Sequence, residues 1–126
     1  MKLNLEVSTG GGGAVDGSSF LVEKELKVTI EGSTNKYIPI LVSFNKYDIR
    51  TLYVANNSGN KSVSTIFDKS IDGNLVYKSL EEVKTYDIAN VPCTDKEGSQ
   101  LCHLFIENKS AVSAEFHIIL KVTSLQ

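Results

Sequence analysis

The chain has 126 residues, of which 41% are hydrophobic and 22% are charged, and its formal net charge is −2. This length fits one domain with a single two-layer core, and the charged fraction is that of an ordinary folded protein. The small negative charge excludes the strongly basic surface with which most proteins bind a nucleic-acid backbone, so we expect no nucleic-acid partner.

The chain has neither a membrane-spanning segment nor an export signal in its sequence pattern. Its longest apolar run, Ile38 to Val42, is far shorter than the roughly 18 residues that span a bilayer. Residues Met1 to Val7 alternate between apolar and polar, whereas an export signal needs a continuous apolar segment. The sequence therefore predicts cytoplasmic synthesis without a signal peptide, no membrane partner, and a final place in the cytoplasm or in an assembly such as a virion.

Short runs of alternating apolar and polar residues recur along the chain, separated by turn residues. In chain order, the predicted strands are residues 2–8, 20–31, 37–44, 49–55, 62–67, 75–77, 101–106 and 112–123. The run from Tyr37 to Phe44 is almost continuously apolar, which predicts a strand covered on both faces, with Pro39 near its start. One short helical turn is predicted near residues 79–85, where Ser79 and Glu82 have the spacing of a capping box.

The last predicted strand has the clearest pattern. From Val112 to Val122 every even position is apolar, and four of the five odd positions between them are polar or charged. One face of this strand must therefore be buried against a second layer. The exception on the polar face is Ile119, which lies beside His117 and Lys121, and we predict that these three residues contact a partner.

The residues between the last two predicted strands are polar turn formers. They are Glu107-Asn108-Lys109-Ser110, and they predict an antiparallel hairpin between residues 101–106 and 112–123. About eight strands with turns at intervals of about 8–12 residues imply a single domain, residues 1–126, that is a two-layer antiparallel β-sandwich. Jelly-roll and immunoglobulin-like topologies both fit this pattern.

A glycine-rich segment follows the first predicted strand. Gly12 and Gly17 have the spacing of the two P-loop glycines, but Ser18 stands where that motif requires Lys, and the following residues are strand-like. A nucleotide site is therefore not predicted. Four consecutive glycines instead indicate a flexible or tightly turned connection, or a loop that lets the backbone of a neighbouring subunit approach closely. The predicted interaction residues here are Gly10, Gly11, Gly12 and Gly13.

The two cysteines, Cys93 and Cys102, allow two interpretations. A disulfide between them would suit an oxidising compartment or a virion exterior, and two reduced thiols in a cytoplasmic protein explain them equally well. His103 and Asp95 are close in sequence, but structural zinc needs four ligands, usually paired at short spacing, and that pairing is missing. The sequence predicts no metal site at these residues.

Two ligand-binding patterns were considered and are weak. Asp68, Asp72 and Asn74 surround a glycine turn and offer oxygen ligands for calcium, but the spacing is not that of an EF-hand loop and turn chemistry alone explains these residues. Sugar-binding sandwiches usually present exposed aromatic rings, and this chain has no Trp, while its five Tyr residues lie mostly in strand-like runs.

The sequence contains no nucleophile elbow or other local catalytic signature, so it predicts no catalytic residues, no cofactor and no enzymatic activity. The favoured hypothesis is a non-enzymatic structural or interaction protein. It would be a subunit of a larger assembly, such as a phage or virus capsid decoration or tail component, with copies of itself or neighbouring subunits as partners. The alternative hypotheses are a carbohydrate-binding module, calcium-dependent in one form, and a small hydrolase or isomerase.

Overall fold

The computed structural model describes residues 21–57, 61–79 and 90–125. The predicted strand at residues 2–8, the glycines at 10–13 and all of the predicted helical turn except Ser79 lie outside these ranges. The described residues form eight strands and no helix: β1 (Leu21–Ile30), β2 (Asn35–Leu41), β3 (Lys46–Asn56), β4 (Ser62–Phe67), β5 (Leu75–Lys78), β6 (Val91–Thr94), β7 (Leu101–Asn108) and β8 (Ala114–Ser124).

The strands form two four-stranded antiparallel sheets. Sheet I has the order β1-β8-β3-β6, and sheet II has the order β2-β7-β4-β5. The pairs β1–β8, β2–β7, β3–β6 and β4–β5 are those of one long antiparallel ribbon, and the pairs β8–β3 and β7–β4 form where that ribbon is rolled up. This is the jelly-roll order. The predicted β-sandwich is confirmed, and the topology is the jelly roll.

The hairpin predicted between residues 101–106 and 112–123 is wrong. β7 pairs with β2 and β4, whereas β8 pairs with β1 and β3 in the other sheet. The inward rows of both strands, which include Leu104 and Ile106 on β7 and Phe116 and Ile118 on β8, lie in one core. The physical reason for the opposite placement lies in the connection: the side chain of Asn108 at the end of β7 donates to Ile30 O on β1 and to Val112 O, so the turn residues before β8 connect layers instead of neighbouring strands.

β2 is an edge strand and is not covered on both faces as predicted. Asn108 N–H donates to Thr34 O (2.9 Å) and Val42 N–H donates to Gln100 O (2.9 Å). The backbone N–H and C=O groups at the even positions of β2 therefore point towards β7. Because hydrogen-bonding directions alternate along a strand, the odd positions face the free edge. Pro39 is one of them, and its missing N–H interrupts no bond of the sheet.

The core between the sheets contains apolar side chains from both layers. Burial of each large side chain contributes about 1.5–3 kcal/mol to stability. The inward row predicted for the last strand is confirmed from Ala114 to Val122. The prediction is wrong for Val112, which precedes β8 and is exposed. The fully buried aliphatic and phenyl side chains are Val42, Ile49, Leu52, Val54, Ile66, Leu104, Ile106, Phe116, Ile118, Leu120 and Val122. Within the described ranges, no helix has the length and apolar character needed to cross a membrane.

One end of the sandwich is closed where the β1–β2 turn meets the β7–β8 loop. The buried Asn108 donates from Nδ2 to Ile30 O (3.0 Å) and to Val112 O (2.9 Å), which ties the two sheets together. Gly32 lies so close to this loop that a Cβ atom there would come within 2.3 Å of the Ala111 carbonyl. The close approach requires glycine at this position.

We expect Gly32→Ala to lower the free energy of unfolding by about 2–3 kcal/mol, because the added methyl group collides with backbone that cannot rotate away. The matched control is Gly98→Ala. Gly98 has φ +73° but open space around its Cβ position, so only the left-handed backbone opposes the change, at a cost of about 1–2 kcal/mol. Urea unfolding of the three proteins measures the difference. Equal losses in the two variants would show that the contact with Ala111 is not tight.

Candidate functional site

The three interaction residues predicted on β8 do lie on one surface, the outer face of sheet I. His117 Nε2 is 2.5 Å from Glu25 Oε2, and its ring packs edge-on against Tyr53 with centroids 5.8 Å apart. Ile119 lies in register between Glu25 and Tyr53 and is half-buried by its neighbours. Lys121 is half-buried one pair further along β8. Ile119 is thus an apolar side chain among charged neighbours on this face. That a partner binds there remains a prediction.

The outer face of sheet II is built differently, because the β6–β7 loop folds onto it around a buried carboxylate. Asp95 accepts hydrogen bonds from the backbone N–H groups of Glu97 (2.9 Å), Ser99 (3.0 Å) and Leu101 (2.9 Å). Its Oδ1 is also 3.0 Å from Nε2 of His103, whose side chain is fully buried. These four contacts fix the loop and hold it against β7.

The network continues from His103 towards the surface. Its Nδ1 is 2.8 Å from the hydroxyl of Tyr37, and the two rings stack with centroids 5.9 Å apart. An Asp–His–hydroxyl series has the connectivity of a nucleophilic triad. However, burial and the negative charges of Glu97 and Asp95 raise the pKa of Tyr37, which disfavours the tyrosinate form that a nucleophile requires. The geometry supports a structural role for this series.

Hydrogen bonding decides the ionisation of Asp95. Burial acts to raise the pKa of its carboxyl group, but the bonds from Leu101 N–H, His103 and Glu97 N–H outweigh burial and hold the pKa below its ordinary value. A carboxylate with a depressed pKa stabilises the folded state above its unfolded pKa, and that contribution is lost as the pH falls. Protonation of Asp95 at low pH therefore weakens the bonds that hold the β6–β7 loop and lowers the stability of the folded state.

The side chains of both cysteines lie in the core between the sheets, and they do not contact the His103 ring. Cys93 on β6 and Cys102 on β7 are both buried free thiols, which is one of the two states that the sequence allows. Cys93 Sγ donates to the Tyr47 hydroxyl (3.2 Å), which donates to Leu101 O (3.1 Å). Burial raises the pKa of Cys93 and raises that of Cys102 to about 12. Among the described residues, no three His, Cys, Asp or Glu side chains are grouped so that they could hold a metal ion.

The three residues weighed as calcium ligands, for which turn chemistry was the favoured explanation, do not form one set in the β4–β5 loop. Asp68 Oδ1 accepts from Asn74 N–H (2.7 Å), and its Oδ2 accepts from Asn74 Nδ2 (3.3 Å) and lies 3.6 Å from Lys96 Nζ. Burial acts to raise the pKa of Asp68, but the Asn74 bonds and the Lys96 charge lower it overall. This carboxylate is used to hold the loop, and Asp72 lines a pocket instead.

That pocket lies on the outer face of sheet II, and sequence reasoning did not predict it. It is open, has a volume of about 280 Å³, and is lined by Phe67, Lys69, Ser70, Asp72, Gly73 and Phe105. The two Phe rings meet edge-to-face with centroids 5.1 Å apart, and Tyr37 packs on Phe105 at 4.8 Å. The sequence signal for this pocket was the pair of aromatic residues, Phe67 and Phe105, at outward positions of two strands. The sequence does not show that these two strands are neighbours in the sheet.

We expect Asp95→Asn to lower the free energy of unfolding by about 2–4 kcal/mol at pH 7, because backbone N–H donors would face an amide in place of a carboxylate. The variant should also lose part of the acid sensitivity of the native protein below about pH 4. Asp48→Asn is the control, since the Asp48 carboxylate has, among the described residues, only a long ion pair with Arg50 at 4.0 Å. Urea unfolding at several pH values measures both effects, and an unchanged acid slope in Asp95→Asn would contradict the assignment.

We expect the two thiols to react with a disulfide reagent such as DTNB at pH 8 at least about tenfold more slowly in the folded protein than in denaturant, because buried thiols with a raised pKa supply little thiolate. Two equivalents of thiol should appear on unfolding without reductant. Detecting none would show that Cys93 and Cys102 are joined as a disulfide.

Comparison with known proteins gives a likeness in shape alone. No protein-family model matches the chain, and no curated protein matches it. Five chains of solved structures match. One belongs to a structure described as "Bacillus endospore appendages form a novel family of disulfide-linked pili"; it is 15% identical, has a TM-score of 0.48, and the match covers 92% of this chain and 99% of that one. A likeness at this level supports no conclusion about family or function.

Proposed function

We propose that this protein is a non-enzymatic structural subunit that joins copies of itself through the free edge of β1. The observation that supports the proposal is the edge itself. β1 is ten residues long, contains no proline, and pairs on one side with β8 and on the other side with no strand of the described chain. Long unblocked edges are the surfaces through which strands of separate chains pair.

The other three edge strands of the described residues are less suited to pairing. β2 has Pro39 at a position that faces its free edge, so the row of donors there is broken. β5 and β6 have four residues each, and β6 contains Pro92. β1 therefore offers the longest continuous set of backbone groups to a second chain.

The register shows which backbone groups of β1 point away from β8 and have no partner strand among the described residues. Asn57 N–H donates to Glu115 O (3.1 Å), so the backbone N–H and C=O groups of the odd residues of β8 point towards β3. Those of the even residues of β8 point towards β1. The even residues of β1 are paired with those even residues of β8, so the odd residues of β1 direct N–H and C=O groups outward. These residues are Leu21, Glu23, Glu25, Lys27 and Thr29.

The inward side of β1 is also incompletely covered. Val22, Leu26 and Val28 point into the sandwich but remain partly exposed, with Lys24 between them in the same row, whereas the β8 partners of these three apolar residues are fully buried. A strand added beside β1 would cover more of this apolar row, which stabilises the complex by about 25 cal/mol per Å² of apolar surface removed from water. The edge thus offers both hydrogen bonds and apolar contact.

A second copy of β1 fits this edge in antiparallel orientation. If Leu26 lies opposite its own copy, Glu25 of each chain lies opposite Lys27 of the other, and these odd residues are the ones whose backbone groups face outward. The contact is then self-complementary, as two-fold symmetry requires.

As the more specific form of this role we propose a place in a phage or virus particle, which a search for the chain in purified particles would test.

The charge pattern of this contact can be tested by exchange. Lys27→Glu and Glu25→Lys each place like charges opposite one another twice, and we expect each to weaken self-association by about tenfold. The double variant restores the opposite-charge pairs and should recover it. Lys36→Glu, which changes the net charge as Lys27→Glu does but at an exposed position of β2, is the control for that variant. Sedimentation velocity over a range of concentrations measures the association.

A wild-type chain that stays monomeric at every concentration would overturn the proposal. Self-association that none of the β1 variants changes, or that the double variant does not recover, would place the contact elsewhere. Thermal unfolding of each variant checks that the monomer remains folded. Lys27→Glu and Lys36→Glu are at exposed positions and should leave stability nearly unchanged, whereas Glu25→Lys also removes the contact of Glu25 with His117.

A further inference from the structure

We infer that the pocket on the outer face of sheet II binds a pyranose sugar ring. The pocket lies where β4 ends and β7 begins. In register, Phe67 of β4 is opposite His103, and Phe105 of β7 is opposite Thr65, so the two phenyl rings project from neighbouring strands on the same face. The two rings meet edge to face and together form the aromatic floor, so a ligand ring can lie flat on only one of them. Lys69, Ser70, Asp72 and Gly73 of the β4–β5 loop form the rim.

The charged groups around the pocket divide into two kinds. Asp68 is engaged by Asn74 and Lys96, and Glu97 accepts from Ser70 N–H (2.8 Å) and Oγ (2.6 Å), so these carboxylates hold the loops in place. The side chains of Lys69 and Asp72 have no hydrogen bond or ion pair with any described residue, although both line the pocket. One ammonium group and one carboxylate are thus available to a ligand.

The loop that presents these groups has a fixed conformation. Asp72 has φ 57°, in the left-handed region, and a Cβ atom on Gly73 would come within 2.6 Å of Lys69 N. Backbone strain of this kind persists only where surrounding contacts hold it, and here the Asp68 and Glu97 bonds do so. The rim is formed before any ligand arrives, which reduces the entropy lost on binding.

A pyranose ring matches this arrangement. Its C–H face can pack on one of the two phenyl rings, while its hydroxyl groups donate to the Asp72 carboxylate and accept from the Lys69 ammonium group. The volume of about 280 Å³ lies at the small end of ligand pockets, which suits a single ring. The site needs no calcium, because Asp68 is already occupied by Asn74 and Lys96.

The test is a titration of the ¹⁵N-labelled full chain with the methyl glycosides of glucose, galactose, mannose and N-acetylglucosamine, each without added calcium. Binding should shift the amide signals of residues 67–73 and 105 in a saturable manner with at least one of these sugars. Asp72→Asn and Lys69→Met should each weaken that binding by about tenfold or more, because each removes a charged hydrogen-bonding group. Asn tolerates a left-handed backbone, so the loop conformation is retained.

Glu115→Gln is the matched control, since Glu115 is an exposed acidic residue on the outer face of sheet I; it should bind as the native chain does. If none of the four glycosides produces saturable shifts, the inference is wrong. It is also wrong if the shifts fall outside the pocket, or if the Asp72 and Lys69 variants bind as tightly as the control. None of these results depends on self-association through β1, which involves the other sheet.

Discussion

The fold depends on the burial of two inward rows against each other, those of the central strands β7 and β8. Leu104 and Ile106 on one strand and Phe116, Ile118 and Leu120 on the other are fully buried. Rows of paired strands, such as those of β3 and β8, lie side by side and need a second layer to cover them. In this fold β7 and β8 lie in opposite layers, so their rows cover each other across the core. The jelly-roll order follows once β1 and β3 flank β8 while β2 and β4 flank β7.

The two outer faces then differ in what covers them. Sheet I presents a solvated face on which charged rows surround Ile119. On sheet II, two loops are held near the surface by buried or engaged carboxylates, Asp95 in one loop and Asp68 in the other. Each carboxylate accepts backbone N–H groups that would otherwise lack partners, which is the energetic reason for placing acidic residues in these loops. The Phe67–Phe105 pocket exists because the ordered β4–β5 loop forms a wall beside an aromatic floor.

The two proposed activities are compatible because they use different parts of the sandwich. Association through β1 extends sheet I sideways, whereas the pocket opens on strands β4 and β7 of sheet II. A subunit of this design would present one sugar pocket for every copy in an assembly. Several weak sites displayed together bind a multivalent surface much more tightly than one site does.

The period-two alternation of apolar and polar residues predicted where several strands lie and which of their side chains are buried. The alternation in residues 112–122 predicted the inward row of β8, and the run from Ser62 to Phe67 coincides with β4. Such patterns are readable because side-chain direction alternates within a single strand. Only the tertiary structure decided which strands pair, since β7 and β8 are adjacent in sequence yet belong to different sheets. It also decided the contact of Tyr37 with His103 and of Phe67 with Phe105, because such long-range contacts depend on sheet register, which the burial of the whole core selects.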